Sequence, residues 1–222
     1  MSAEAIWDSA RIQRIGLAEA LMCQGKTPEQ IAAICETASA DGSPVLLTRL
    51  DAPVFDALPK ELRARLDYEP VSRTAILGEV PRPVEAARIA VVTAGTADVG
   101  VAREAARTLS VYGAAFHEVF DVGVAGLWRL LDRIEEIKSY PVVIMVAGMD
   151  GAIFSVLGGL VPGAVIAVPT STGYGASRGG ETPLHSALAS CAPGVLVTNI
   201  DNGYGAACAA LRILRASAKP SY

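Results

Sequence analysis

The sequence predicts an α/β protein, a three-layer doubly wound parallel sheet preceded by a small helical or mixed N-terminal segment. Three observations carry this. Runs such as Ile89-Ala90-Val91-Val92 and Val142-Val143-Ile144-Met145-Val146 are apolar at successive positions rather than alternate ones. That pattern marks strands covered on both faces. From residue 89 onward such runs alternate with helix-length segments, as in a parallel sheet with crossover helices. Most of the runs end in a Gly-containing turn, at the sheet edge where doubly wound folds hold their ligands.

The chain of 222 residues is 51% hydrophobic but only 5% aromatic. Its apolar mass is therefore Ala, Val, Ile and Leu, suited to close helix and sheet layers, and it can bury a core without disulfide or metal staples. A boundary near residues 80–87 separates segment 1–83 from domain 84–222. In the first segment, 9–24 reads as an amphipathic helix. A capping box at Thr27-Pro28-Glu29-Gln30 opens a second helix to about Ser39. Residues 45–50 read as a strand, 52–66 as a short helix, and 78–83, with two prolines, as a linker. In the second segment the strands are 89–94, 116–121, 141–147, 164–169 and 195–201. The helices run from the turn at 95–100 through Leu109, over 125–137, from 152 to about 158, from 182 to about Cys191, and from about Tyr204.

The net charge of -4 lacks the basic footprint of a nucleic-acid binder. Cys23, Cys35, Cys191 and Cys208 fit no zinc or C-x-x-C spacing and read as reduced thiols. The first thirteen residues lack a signal-peptide pattern, and the apolar run 152–170 is broken by Gly and Pro. A cytoplasmic protein without membrane or nucleic-acid partners is expected.

The loops 95–98, 148–151, 170–181 and 201–205 are expected to meet at one sheet edge. Gly95, Gly148, Gly151 and Gly173 let backbone N–H groups approach an anion, and Thr93, Thr96, Thr170, Ser171 and Thr172 offer hydroxyls. One such loop needs Gly for its turn alone; four in succession point to an anion site. No Walker A or dinucleotide glycine motif follows the first strand, so those cofactor modes are disfavoured. Asp98 and Asp150 stand where helices begin. Capping suffices for Asp98 alone, but two carboxylates at the mouth could also orient a ribose, hold a magnesium ion or move a proton. Cys191 ends a short helix and is expected at the rim of these loops. His117 reads as structural; His185 could face the site.

Val146-Ala147-Gly148-Met149-Asp150-Gly151-Ala152 with Val168-Pro169-Thr170-Ser171-Thr172-Gly173-Tyr174-Gly175 resembles the core of the PurE-like carboxylases, a flavodoxin-like fold. Asn199-Ile200-Asp201-Asn202-Gly203-Tyr204-Gly205-Ala206, Ser190-Cys191-Ala192 and Asp121-Val122-Gly123-Val124-Ala125-Gly126 resemble the LarB family more narrowly. Gly25-Lys26-Thr27-Pro28-Glu29-Gln30 and Leu47-Thr48-Arg49 do so in the N-terminal segment, which PurE proteins lack. The resemblance implies the first step of nickel-pincer nucleotide synthesis. Nicotinic acid adenine dinucleotide would be carboxylated on its pyridinium ring and cleaved to pyridinium-3,5-biscarboxylate mononucleotide and AMP. CO2 or bicarbonate is the implied co-substrate, magnesium a candidate cofactor, and no flavin or pyridoxal phosphate is expected. The resemblance implies a homo-octamer, Cys191 as the thiolate that adds to the ring, and Asp150 in proton transfer. Arg49 and Arg73 could pair with a carboxylate or phosphate, although an isolated Arg usually serves a surface ion pair. Two positions depart from the family: Asp150 stands for a Glu and Trp128 for a His. A PurE-type carboxyaminoimidazole ribonucleotide mutase and a non-catalytic nucleotide-binding protein remain the alternatives.

Overall fold

The computed structural model describes residues 5–217. The chain packs as two compact units, Met1–Arg82 and Pro83–Tyr222.

The N-terminal unit contains a short helix α1 (Arg11–Ile15), strand β1 (Leu21–Met22), helix α2 (Pro28–Ala38), strand β2 (Val45–Thr48), helices α3 (Ala52–Ala57) and α4 (Lys60–Arg63), and strands β3 (Leu66–Glu69) and β4 (Thr74–Leu77). The sheet order is β1-β2-β4-β3. β1 lies parallel to β2, and β4 is antiparallel to both its neighbours. Helix α2 starts as expected. Thr27 Oγ1 accepts the Gln30 N–H at 3.3 Å, and Gln30 Oε1 accepts the Thr27 N–H at 3.0 Å. Its buried face, Ile31, Ile34, Cys35 and Ala38, joins Leu21, Leu47, Leu50 and Leu77 in one core.

Two expectations for this unit need correction. The 9–24 helix stops at Gly16, which caps α1 with φ 73°, and Leu21 and Met22 are taken into the sheet beside Leu47 and Thr48. Sheet pairing here overrides the helix propensity of Ala18-Glu19-Ala20-Leu21. The 52–66 helix breaks because Leu58 precedes Pro59 and is extended, with ψ 153°; a residue before proline avoids the helical region. Residues 66–77, from the end of the expected helix onward, form the β3–β4 hairpin. Its turn is closed by Glu69, whose carboxylate accepts the N–H groups of Val71 and Ser72 and the Ser72 hydroxyl.

The C-terminal unit is a three-layer sandwich. Strands β5 (Ile89–Thr93), β6 (Phe116–Val119), β7 (Val142–Ala147), β8 (Ala164–Pro169) and β9 (Leu196–Val197) alternate with helices α5 (Val99–Val111), α6 (Leu127–Lys138), α7 (Ala152–Gly158), α8 (Glu181–Leu188) and α9 (Gly203–Ser217). The sheet order is β6-β5-β7-β8-β9, and every pairing is parallel. This is a doubly wound sheet whose order reverses at β5 and β7. β5 and β7 are buried at every position, as their unbroken apolar runs require. On one face Val92, Val143, Met145 and Ala167 pack against Leu130 of α6, Ile153, Phe154 and Leu157 of α7 and Ala187 of α8. Helices α5 and α9 pair on the other face. Gly203 allows that approach, since a Cβ there would lie 2.3 Å from the Val101 carbonyl oxygen. β9 is shorter than the 195–201 run: beyond Val197 the chain keeps only separate bonds to β8, from Thr198 N–H to the Ala167 carbonyl at 3.0 Å and from Asp201 N–H to the Pro169 carbonyl at 2.8 Å.

Candidate active site

A parallel sheet delivers all its strand ends to one edge. In the C-terminal unit a cleft of about 790 Å³ opens there. It is walled by the loops after β5 (Gly95, Thr96, Asp98), β6 (Asp121, Gly123), β7 (Gly148, Met149, Asp150, Gly151) and β8 (Thr172, Tyr174, Ser177).

The left-handed backbone positions of this unit that are not glycine are Asp121, Met149, Arg178 and Asp201, with φ between 48° and 60°. All four belong to loops that follow strands. Such conformations cost about 1–3 kcal/mol each and persist where surrounding contacts overdetermine them. Here the contacts are visible. Thr93 Oγ1 accepts the Asp121 N–H at 3.1 Å. The Met149 N–H donates to the Thr172 carbonyl at 2.8 Å. Asp201 donates its own N–H to the Pro169 carbonyl at 2.8 Å and accepts the Ser171 N–H at 2.8 Å.

Asp98 ties the loops together. It is 3% exposed. One carboxylate oxygen accepts the Gly95 N–H at 3.0 Å, and the other accepts the Thr170 hydroxyl at 2.7 Å. Burial pushes its carboxyl above the ordinary aspartate value, against the donors Thr170, Gly95, Thr172 and Gly148, which pull it down. Asp98 is thus more than the helix-start residue its sequence position suggests, because its partner Thr170 lies on another strand end. The native state therefore holds the Asp98 proton more tightly than the unfolded chain. Its contribution to stability is full below the ordinary aspartate pKa of about 3.9 and is lost as pH rises through the raised native value. Chemical denaturation of wild type and Asp98→Asn from pH 4 upward checks this. The wild type should lose stability relative to the variant, which does not titrate; parallel curves would contradict the assignment.

The remaining expected residues divide clearly. Gly95, Thr96, Asp98, Gly148, Asp150 and Gly151 line the cleft. Thr93 and Thr170 are buried beneath it. Ser171 and Gly173 stand on the exposed stretch beside it. Asp150 is exposed and accepts the Ala152 N–H at 3.2 Å, so it caps α7 from the cleft wall. Arg49 and Arg73 belong to the N-terminal unit. Both are left-handed, with φ 54° and 52°, and the Arg73 carbonyl accepts the Leu50 N–H at 2.8 Å. Arg73 also pairs with Asp51 at 3.2 Å. His117 stacks on Tyr140 and pairs with Glu136. His185 is exposed and is not among the cleft residues.

Cys191 is not where the sequence suggested. Helix α7 leaves the cleft at Gly151 and α8 runs beside it: Gly151 abuts Pro183, while Gly158 abuts Ala192 and Val195. Ser155 and Ser190 share a hydroxyl contact of 2.8 Å. Cys191 therefore lies at the amino edge of the sheet, one α7 length or about 10 Å from the cleft at 1.5 Å per residue. The reason is topological. A helix joining two parallel strands must return the chain to the edge where the next strand begins. Cys191 is exposed there, beside the exposed Leu188 and Leu196.

Arg129 was not anticipated. It projects from α6 into the cleft wall and pairs with Asp121 at 2.7 Å. Gly126 makes room for it, since a Cβ there would meet Arg129 Nε at 2.9 Å. The one signal in the sequence was its spacing from the Asp121–Gly126 turn. Among the described residues lining the cleft, Arg129 is the cation and Asp98, Asp121 and Asp150 are the anions. Both Asp98 oxygens are committed to donors. No group of three or more His, Cys, Asp or Glu side chains that could hold a metal ion gathers among the described residues. Ser177 Oγ is buried at the cleft without a hydrogen-bond partner among the described residues, an arrangement that calls for an explanation such as a ligand or water.

Sheet order and cleft together define a doubly wound α/β protein with a cleft over the carboxyl edge of its sheet, where folds of this class hold their ligands. Comparison with known proteins narrows this. Residues 88–221 match the family model described as AIR carboxylase, and residues 2–79 match the LarB/PurE-like N-terminal domain. The chain belongs to the LarB family of PurE-like carboxylases. An uncharacterised protein of Methanocaldococcus jannaschii is 46% identical over 121 residues, which span 54% of this chain and 46% of that protein, less than half its length. A crystal structure of a PurE2 variant from Treponema denticola superposes with a TM-score of 0.50 at 21% identity, over 62% of this chain and 83% of that one. That likeness shows the fold. No helix among the described residues is long and apolar enough to cross a membrane.

Proposed function

We propose that the protein carboxylates the pyridinium ring of nicotinic acid adenine dinucleotide and cleaves its phosphoanhydride, yielding pyridinium-3,5-biscarboxylate mononucleotide and AMP. The observation that carries this reading is the pairing of a LarB-type N-terminal domain with a PurE-type α/β unit in one chain. The cleft chemistry supports it. The Arg129 guanidinium and the N–H groups of the glycine turns suit phosphate oxygens.

In this scheme the Cys191 thiolate adds to the electron-poor ring and leaves an enamine-like, dearomatised system. The nucleophilic ring carbon forms a bond to CO2. Asp150 takes the proton from that carbon, the C–S bond breaks, and aromaticity and the thiolate return together. Water then cleaves the phosphoanhydride. Because Cys191 lies at the far edge of its own subunit, it reaches the reacting ring from a second copy, in keeping with the homo-octamer implied by the family resemblance.

The test is mass spectrometry after incubation with the dinucleotide, bicarbonate and magnesium. AMP together with the dicarboxylated mononucleotide is expected. Untouched dinucleotide from folded protein would overturn the reading and leave the mutase or the nucleotide-binding protein.

A further inference from the structure

Tyr174 forms part of the cleft wall, yet it is 81% exposed. It sits between two left-handed glycines, Gly173 at φ 134° and Gly175 at φ 57°. The turn is anchored below. The Ser177 N–H donates to the Tyr174 carbonyl at 3.1 Å, and a Cβ on Gly173 would lie 2.5 Å from Ser177 Oγ. Met149 stands beside it, because its N–H donates to the Thr172 carbonyl and its Cα would lie 3.5 Å from that same Cβ. Met149 is 48% exposed. An open phenol and an open thioether therefore share the cleft mouth.

The charge around them is unbalanced. Arg129 is paired with Asp121, which leaves Asp98 and Asp150 as cleft-lining carboxylates without a cationic partner in the wall. An aromatic face in a field of excess negative charge favours a cation over a neutral ring of the same shape. We propose that Tyr174, flanked by Met149, stacks on the pyridinium ring of the dinucleotide and selects its positively charged form. This inference rests on the substrate reading above and adds the residue that recognises the reacting ring.

Calorimetry on the full-length protein in bicarbonate-free buffer tests it, using nicotinic acid adenine dinucleotide and its dihydro form. The two share adenosine and phosphates, and only the first has a cationic aromatic ring. Wild type should bind the oxidised form about ten-fold more tightly. In Tyr174→Ala that ratio should fall several-fold, the carboxylates retaining part of it, while AMP and the dihydro form bind as before. Tyr174→Phe should keep the wild-type ratio. Equal affinity for the two forms in wild type, or an unchanged ratio in Tyr174→Ala, would overturn the assignment. Turnover without discrimination defeats the Tyr174 assignment alone. Discrimination without turnover defeats the reaction alone, and failure to bind either form defeats both.

Discussion

Cys191→Ser is expected to lower turnover of the dinucleotide by about 10³-fold or more, the scale seen when a covalent nucleophile is removed. Cys191 is exposed, so the substitution leaves the core intact and the melting temperature within about a degree. Cys208→Ser is the control. Cys208 lies on α9, on the sheet face opposite α7 and α8, and its replacement should leave turnover within a few-fold. Intersubunit supply of the thiol makes a second, sharper expectation. Cys191→Ser and Asp150→Asn subunits should each be inactive alone. Coexpressed, they should recover about a quarter of wild-type activity, since random assembly places an intact Cys191 over an intact Asp150 in that share of sites. Full activity in Cys191→Ser would remove the thiolate step. An inactive mixed assembly would return both groups to one subunit, contrary to the position of α8.

Gly148→Ala is expected to destabilise the C-terminal unit by about 3 kcal/mol or more, as severe overpacking does, which lowers its melting temperature by roughly 10 °C. A Cβ at 148 would lie 2.3 Å from the Thr172 carbonyl oxygen and 2.6 Å from Thr170 Oγ1. Neither can retreat freely. The carbonyl accepts the Met149 N–H, and the hydroxyl is the donor to Asp98. The same substitution therefore loosens the network under the cleft. Gly175→Ala provides contrast: a Cβ there meets nothing within 4 Å, although φ is 57°, so its cost is about 1 kcal/mol of backbone strain. Thermal denaturation of both variants decides. Comparable melting temperatures would show that the strand-end loops tolerate the collision, and the tight approach of β7 and β8 loops would lose its structural role.

Much of the C-terminal unit was legible because its determinants are local. Unbroken apolar runs mark strands with both faces covered, and glycines at their ends mark the turns. The α2 capping box is local in the same sense. The N-terminal sheet was less legible. Leu21-Met22 is helix-prone and becomes a strand only because β2 stands beside it. Thr74–Leu77 is a four-residue strand whose identity depends on pairing with β2 and β3. Cys191 is a different case. The rule that a crossover helix returns to the opposite edge could have placed it from the sequence, and proximity to the motif Ser190-Cys191-Ala192 gave no information about edge.

From sequence alone follow the parallel α/β sandwich, the family resemblance and the loops that build the cleft, since periodicity and turn chemistry act over a few residues. Tertiary structure decided which side chains those loops turn inward. Asp98 meets Thr170 across 72 positions, Arg129 is fixed by Asp121 and the space above Gly126, and Cys191 lies outside the cleft. Burial and pairing depend on groups distant along the chain, and no local pattern in the sequence encodes that distance.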